Sequence, residues 1–280
     1  AYSVLLAPIP PDSIDYYNEM VDTSNLKSTF SGNVSGCLRA NFNNDLNLPS
    51  TIPLAGIRVK LIQYKCFLGI CWWSELDEGY TDENGNFTLD YNIQSSGNSI
   101  KLGLQFISSS DNEFQITSTN FSGKRFKHII SWDESQTANT VYNYTFTEFE
   151  YPSEAFKTVH WARRGFQYFK NQNIQPFDKK LRIRPYAEGS WFDIWVSAQK
   201  PAIHIASGDG RRESITYHEF GHVSMYKLQH NKFTLPYSVS GVENHSWDKE
   251  NTSRLAWVEG WANAIQMILD AHYWQEDGEY

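Results

Sequence analysis

Long hydrophobic runs are absent from this chain of 280 residues, and so are clusters of basic side chains. No stretch approaches the 18 or so apolar residues of a membrane-spanning helix, which excludes that class of protein. The formal net charge of −8 argues against nucleic acid or an anionic membrane as a partner. A hydrophobic fraction of 40% is still enough to bury a core, and the length favours two domains.

Cysteine is scarce, with three in the chain. Cys66 and Cys71 have the separation of two opposed residues beside a four-residue hairpin loop, so they are candidates for a disulfide. Cys37 is left over, and without a second pair a cysteine-ligated zinc site is disfavoured. The chain opens at Ala1 with no targeting segment, which fits processing after secretion and equally a trimmed sequence. Together these signals predict a secreted, periplasmic or cell-surface protein.

One short motif, His-Glu-Phe-Gly-His at residues 218–222, carries more chemical information than any other part of the chain. It lies in a proline-free segment, 213–229, whose stripe of residues at spacings of three and four predicts a helix. Side chains four residues apart on a helix converge, so the two imidazoles can share one Zn²⁺. Glu219 lies at the edge of that face, where it can reach the water that such a metal binds.

A catalytic zinc usually keeps three protein ligands and one open position, so a third ligand is needed. A histidine six residues after the second one would continue the motif, but Leu228 stands there. The best candidate is Glu259, which lies beside the apolar stripe of a second predicted helix, because a carboxylate on a buried face needs a compensating cation. Two alternatives stay open: Glu259 pairs with Arg254 on the helix surface, or His245, in a polar loop, supplies the third ligand.

Small residues predict a close approach of these two helices. Gly221 costs its helix about 1 kcal/mol relative to alanine, so a nearby backbone or the metal itself is the expected reason for it. Gly260 and Ala262 in the second helix would allow the same approach from the other side.

With this motif and Glu259, the chain resembles the gluzincins, zinc metallopeptidases in which a glutamate from a later helix joins the two histidines. The similarity covers about residues 151–280. It implies that His218, His222 and Glu259 hold one Zn²⁺ per chain and that Glu219 is the general base.

One departure from the gluzincin pattern affects the support of the ligands. Many gluzincins have an aspartate four residues after the ligand glutamate, whereas this chain has Asn263, which can accept the same hydrogen bond without adding charge. The developing oxyanion also needs a donor besides the metal. The candidates for that donor are Tyr237, His245, His272 and Tyr273.

The segment before the motif predicts a helix over 153–171 and then three short strands, 181–184, 191–196 and 202–206. In zincin-like folds, the strand that runs toward the active helix is the sheet edge that pairs with an extended peptide, a form of β-augmentation. The resemblance therefore implies that substrate pairs at Ile203, His204, Ile205 and Ala206.

The first half of the chain differs in character. Residues 28–118 have short alternating runs, frequent turn residues and a tight Asn-Gly turn, which predict a β-sandwich similar to transthyretin-like, carboxypeptidase-regulatory-like domains. Residues 1–27 are an N-terminal extension, and 119–150 either add strands or form a bridge. The predicted fold is therefore multidomain, an all-β sandwich followed by an α+β zincin-like metallopeptidase domain over 151–280.

The resemblance implies hydrolysis of peptide bonds in peptide or protein substrates. Zinc would polarise the scissile carbonyl and acidify its water, while Glu219 carries the proton from that water to the leaving amine. An alternative from a different class is an extracellular glycan- or protein-binding adhesion protein with a catalytically inactive zincin-like domain. That alternative is suggested by 10 Trp and 16 Tyr, which could form a stacking platform.

Overall fold

The computed structural model describes ten segments of the chain, which contain twelve strands in three sheets, and three α-helices. The described residues are 28–43, 49–95, 99–109, 114–116, 125–134, 140–146, 153–174, 181–193, 202–228 and 253–277.

The first sheet is built around one long strand, β1, which is antiparallel to β5 and β2 and parallel to β9. Along β5 the side chains alternate between exposed and buried, as the two-residue period of a half-buried strand requires. The strands of this sheet are β1 (Ser28–Asn43), β2 (Pro49–Pro53), β5 (Asn86–Ser95) and β9 (Thr140–Phe146).

The second sheet is antiparallel throughout, in the order β4-β3-β6-β8. Its inner face shares a core with the first sheet, and the rings of Phe87 and Phe106 meet between the two at a centroid distance of 6.0 Å. Its strands are β3 (Arg58–Phe67), β4 (Ile70–Tyr80), β6 (Ile100–Ile107) and β8 (Lys127–Glu134).

The Asn-Gly turn connects these two sheets, because β4 lies in the second and β5 in the first. Gly85 has a φ of 77°, a left-handed conformation that glycine adopts without strain. The side chain of Asp82 accepts hydrogen bonds from the backbone N–H groups of Asn84 and Asn86, at 2.9 and 2.8 Å. The sequence therefore fixes the point at which the chain crosses from one sheet to the other.

The third sheet has the order β11-β12-β10-β7, with β7 and β12 parallel to β10 and β11 antiparallel to β12. Over residues 202–204, β12 pairs with β10 on one side and with β11 on the other. In the described residues, β11 is therefore the outermost strand at that end of the sheet. The expectation that β12 forms the sheet edge is therefore wrong for Ile203 and His204. Ile205 and Ala206 have no partner on β11 in the described residues, and their pairing with substrate stays a prediction. The strands are β7 (Phe114–Ile116), β10 (Leu181–Ala187), β11 (Trp191–Asp193) and β12 (Ala202–Ala206).

Three helices complete the fold: α1 (Ser153–Asn171), α2 (Glu213–Leu228) and α3 (Ser253–Asp277). The prediction of a helix over 153–171 is confirmed. None of the helices in the described residues is long and apolar enough to cross a membrane.

A continuous core connects the sheets to the metal-motif helix. Phe146 of β9 stacks on Phe156 of α1 at a centroid distance of 4.8 Å, and Phe166 of α1 meets Phe220 of α2 edge to face at 5.3 Å. Arg163 of α1 also forms an ion pair with Glu83 in the connection between β4 and β5. Helix α1 thus packs against both the sandwich and α2, and holds α2 in place from behind.

Candidate metal centre

Three side chains that the sequence selects as zinc ligands converge between α2 and α3. Nε2 of His218 lies 3.2 Å from Oε2 of Glu259, and Nε2 of His222 lies 3.7 Å from the same oxygen. One ligand atom from each residue lies within 4.8 Å of the others. The four-residue spacing places both imidazoles on one face of α2, and α3 brings the carboxylate to that face.

The spacing of these atoms fits a zinc ion. Ligands at about 2.0–2.1 Å from a tetrahedral zinc are about 3.3 Å from one another. Two separations, from the Glu259 oxygen to the two imidazole nitrogens, are close to that value at 3.2 and 3.7 Å. All three ligand atoms lie within 4.8 Å of one another, so a bound zinc would draw them slightly closer together. Two imidazole nitrogens and one carboxylate also form a donor set that zinc accepts in catalytic sites, with a fourth position left for water.

Asn263 supports one of the ligands from behind. Its Oδ1 lies 2.9 Å from Nδ1 of His218, so Nδ1 can donate a hydrogen bond to it, which would leave Nε2 as the nitrogen that binds a metal. Asn263 follows Glu259 by four residues, so both side chains lie on the same face of α3. One face of this helix therefore provides the candidate ligand Glu259 and the hydrogen-bond acceptor for His218.

The two helices touch at Gly221, between the two histidines. A Cβ added there would lie 2.5 Å from Cα of Ala262 and 2.8 Å from its carbonyl oxygen. Next to this contact, Trp261 Nε1 donates to Ser224 Oγ at 2.9 Å. Gly260 has no part in this contact, because an added Cβ there would meet no atom of the described residues within 4 Å. The absence of a side chain at Gly221 is therefore what lets Glu259 approach the histidines.

Glu219, the candidate general base, is 3% exposed, and its Oε2 has no hydrogen-bond partner within the described residues. Burial raises its pKa to about 8, with the carboxylates of Glu259 and Asp209 adding to the effect and His218 opposing it. A positively charged ion beside this carboxylate would offset the cost of its charge.

The pKa of His218 is shifted by the same environment. Burial, the largest influence, lowers it, but the hydrogen bond to Glu259, the charge of Glu219 and the contact with Asn263 outweigh burial and raise the pKa above 6.5. The site therefore attracts positive charge to the position where the three ligand atoms meet.

The connection from β12 to α2 is fixed by a residue that the sequence reasoning missed. The buried carboxylate of Glu154, in the first turn of α1, accepts hydrogen bonds from the backbone N–H groups of Gly208 and Gly210 at 2.8 and 3.0 Å. Between them, Asp209 accepts a hydrogen bond from the hydroxyl of Ser190 at 2.8 Å. Only a signal linking residues more than 50 positions apart could have identified Glu154.

Tyr273 is not at the site, and its prediction as an oxyanion donor is wrong. It is buried, and its hydroxyl donates to the backbone carbonyl of Arg164 at 2.7 Å. It follows Glu259 by 14 residues, about 21 Å along the helix. His272, one residue earlier, packs against Tyr168. The remaining candidates, Tyr237 and His245, lie outside the described residues.

Cys66 and Cys71 form a disulfide at the tip of the β3–β4 hairpin. The third cysteine, Cys37, donates a hydrogen bond from Sγ to the carbonyl oxygen of Asn84 at 3.3 Å. All three cysteines therefore belong to the sandwich, and the metal centre uses none of them.

Residues 171–280 match a protein family described as the Mycolysin C-terminal domain. The match covers both histidines, Glu219 and Glu259, and it supports a metallopeptidase relation for this part of the chain. Among curated proteins, none matches the chain significantly.

Two solved structures are similar to parts of the chain at low level. A 9R-lipoxygenase from Cyanothece PCC8801 is 15% identical with a TM-score of 0.26, over 61% of this chain and 29% of its own. An (S)-allantoin synthase is 11% identical with a TM-score of 0.22, over 43% of each chain. The chain thus spans less than half of either protein, and similarity this low carries no conclusion about fold or activity.

Proposed function

We propose that this protein is a zinc-dependent metallopeptidase. The observation that carries the proposal is the convergence of His218, His222 and Glu259, whose ligand atoms lie within 4.8 Å of one another. The adjacent Glu219 is buried, and one of its carboxylate oxygens has no hydrogen-bond partner among the residues that the structure describes. The family match over residues 171–280 supports the same reaction class.

In this proposal the three ligands hold one Zn²⁺ per chain. When bound, that ion supplies Lewis-acid chemistry, polarising the scissile carbonyl and lowering the pKa of a water ligand toward ~7. Glu219 takes a proton from the attacking water and returns it to the leaving amine. Burial raises the pKa of Glu219 in the absence of an ion, and a cation held by the neighbouring ligands would lower that pKa and favour the ionised carboxylate that accepts the proton.

The remaining contacts support orientation of these groups. Asn263 holds the His218 ring so that Nε2 faces the metal position, and Gly221 lets α3 approach α2 closely enough for Glu259 to reach it. An extended peptide substrate would pair with β11, the outer strand of its sheet in the described residues. Phe192 of β11 packs against Tyr226 of α2 at 6.0 Å, which keeps that strand beside the metal-motif helix.

The substrates are peptides or proteins outside the cytoplasm, in keeping with the secreted, periplasmic or cell-surface location that the sequence predicts. The disulfide between Cys66 and Cys71 supports an oxidising compartment.

Metal analysis combined with a peptide-library digest tests the proposal. We expect about one zinc per chain, lost in His218→Ala and retained in the control His272→Ala, a histidine of α3 that packs against Tyr168. Cleavage should stop with a chelator and return with added Zn²⁺. Glu219→Gln should keep the zinc but lower the cleavage rate by about 10³-fold or more. A zinc-free protein, or an undiminished rate in Glu219→Gln, would refute the assignment.

A further inference from the structure

A cleft of about 660 Å³ opens at one end of the sandwich, far in the sequence from the metal motif. Its walls come from the ends of β3 and β5 and the beginnings of β4 and β6. The exposed hairpin tip, with its disulfide between Cys66 and Cys71, adjoins it. Gln63, Lys65 and Trp72 are among the residues that line it.

These three side chains face the same way. Lys65 lies directly opposite Trp72 in the β3–β4 pairing, and Gln63 precedes Lys65 by two residues on the same strand. Because side chains alternate along a strand, all three project from the inner face of the second sheet at its open end. Trp73, one residue along, lies on the other face, where its ring packs against Tyr64 at 5.0 Å.

Gln63 indicates that the cleft takes a polar ligand. It is 8% exposed, yet its amide oxygen has no hydrogen-bond donor within the described residues. A buried acceptor without a donor is costly, so a donor on a bound molecule would satisfy it.

Trp72 provides the apolar part of the same site. It is 44% exposed although tryptophan normally buries most of its surface, and the disulfide at the hairpin tip restrains the strand that carries it. An exposed ring beside a buried amide suits a ligand with one apolar face and many hydroxyl groups, which is the chemistry of a saccharide.

The other polar groups define the charge of that saccharide. No carboxylate is among the described residues that line the cleft, whose ionic residues are Lys65 and Lys101. Lys101 lies opposite Tyr64, and its ammonium group lies 5.6 Å from that ring on the outer face, so Lys65 is the cation that shares a face with Gln63 and Trp72. Ser95 and Ser99 also line the cleft. In a chain of net charge −8, this is a local excess of positive charge. Ammonium groups form charge-assisted hydrogen bonds with carboxylates.

We propose that this cleft binds an acidic oligosaccharide, one whose sugar rings carry carboxylates. One ring stacks on Trp72, a hydroxyl group donates to Gln63, and a carboxylate pairs with Lys65. The site would hold the protein on a polyanionic glycan, and it is independent of the proposed peptidase activity because it shares no residue with the metal centre.

Calorimetric titration of the full chain tests the proposal, with trigalacturonic acid and 3′-sialyllactose as acidic probes and maltotriose and lactose as neutral ones. We expect an acidic probe to bind about tenfold or more tightly than its neutral counterpart. Trp72→Ala and Gln63→Leu should each weaken that binding by about tenfold or more, and Lys65→Gln should remove the preference for the acidic probe.

Trp73→Ala is the matched control, since it removes a neighbouring tryptophan from the opposite face and should leave the affinity unchanged. His218→Ala should also bind the saccharide with wild-type affinity, so the result of this test does not depend on whether the protein binds zinc. The proposal is overturned if no probe binds at millimolar concentration, if neutral probes bind equally well, or if Trp72→Ala binds like the wild type. Binding only to phosphatidylglycerol vesicles, lost in Leu68→Ser at the exposed hairpin tip, would assign the surface to lipid instead.

Discussion

Oδ1 of Asn263 lies 2.9 Å from Nδ1 of His218, so an amide occupies the place behind a candidate zinc ligand where many gluzincins have a carboxylate. An amide oxygen accepts the same hydrogen bond and fixes the same tautomer, but it adds no negative charge. The ring orientation is therefore preserved while the electrostatic support of the ligand is weaker.

Removing this support should weaken zinc binding. We predict that Asn263→Ala lowers zinc affinity about 10- to 100-fold, because His218 then loses the acceptor that holds its ring and tautomer. Competition with a chromogenic chelator measures the affinity directly. Asn263→Asp should bind zinc at least as tightly as the wild type, since it restores the acceptor and adds charge. Equal affinity in Asn263→Ala and wild type would show that the contact does not support the ligand.

The contact between α2 and α3 gives a matched pair of glycine substitutions. Gly221→Ala should destabilise the protein by about 1–3 kcal/mol and reduce zinc affinity, because the new Cβ would lie 2.5 Å from Cα of Ala262 and push Glu259 away. The new Cβ of Gly260→Ala would meet no atom within 4 Å in the described part of the chain, so this substitution should stabilise α3 by about 1 kcal/mol. Urea unfolding and zinc titration of both variants check this. A harmless Gly221→Ala would mean that the helices are further apart.

Features set by local spacing could be predicted from the sequence. The amphipathic period gave α1 its limits, Ser153 and Asn171, and placed the start of α2 at Glu213. The same periodicity put both imidazoles on one face, and the costly Gly221 indicated a close neighbour. The neighbour's identity, Ala262, depends on tertiary packing.

Features set by strand order could not be predicted in the same way. A strand pattern predicts that residues 202–206 are extended. It does not predict that β11 pairs with residues 202–204 on the side away from β10. Similarly, Tyr273 has a hydroxyl suitable for an oxyanion donor, but it lies more than three helical turns after Glu259 on α3. Its hydroxyl donates to the backbone carbonyl of Arg164 instead. Glu154 was missed because its two partners, Gly208 and Gly210, are more than 50 residues away.

Stability should depend on the protonation of His160 in α1. It is fully buried, and burial, followed by the charges of Arg164 and Arg163, lowers its pKa well below 6.5. Below pH 6.5 the unfolded state therefore binds more protons at this histidine than the folded state does. The free energy of unfolding is unaffected by this group above that pH and decreases as the pH falls below it. We predict that this group lowers the free energy of unfolding by about 1.4 kcal/mol for each pH unit well below 6.5.

His160→Phe separates this effect from other acid-sensitive groups, since the substitution keeps an aromatic ring and removes the titration. Urea unfolding between pH 5 and 7.5 should show a shallower decline of the unfolding free energy in the variant than in wild type. Parallel declines in the two proteins would assign the acid sensitivity to other residues.

The disulfide at the hairpin tip should stabilise the sandwich without affecting the metal centre. It closes a loop of about six residues, and the chain-entropy relation gives about 2 kcal/mol for a loop of that length. The double variant Cys66→Ser/Cys71→Ser should therefore unfold at lower urea while keeping wild-type zinc content. Dithiothreitol should shift the wild-type unfolding curve by the same amount and leave the variant unchanged. If the variant lost zinc instead, the hairpin and the metal centre would be coupled through the core that joins the sandwich to α2.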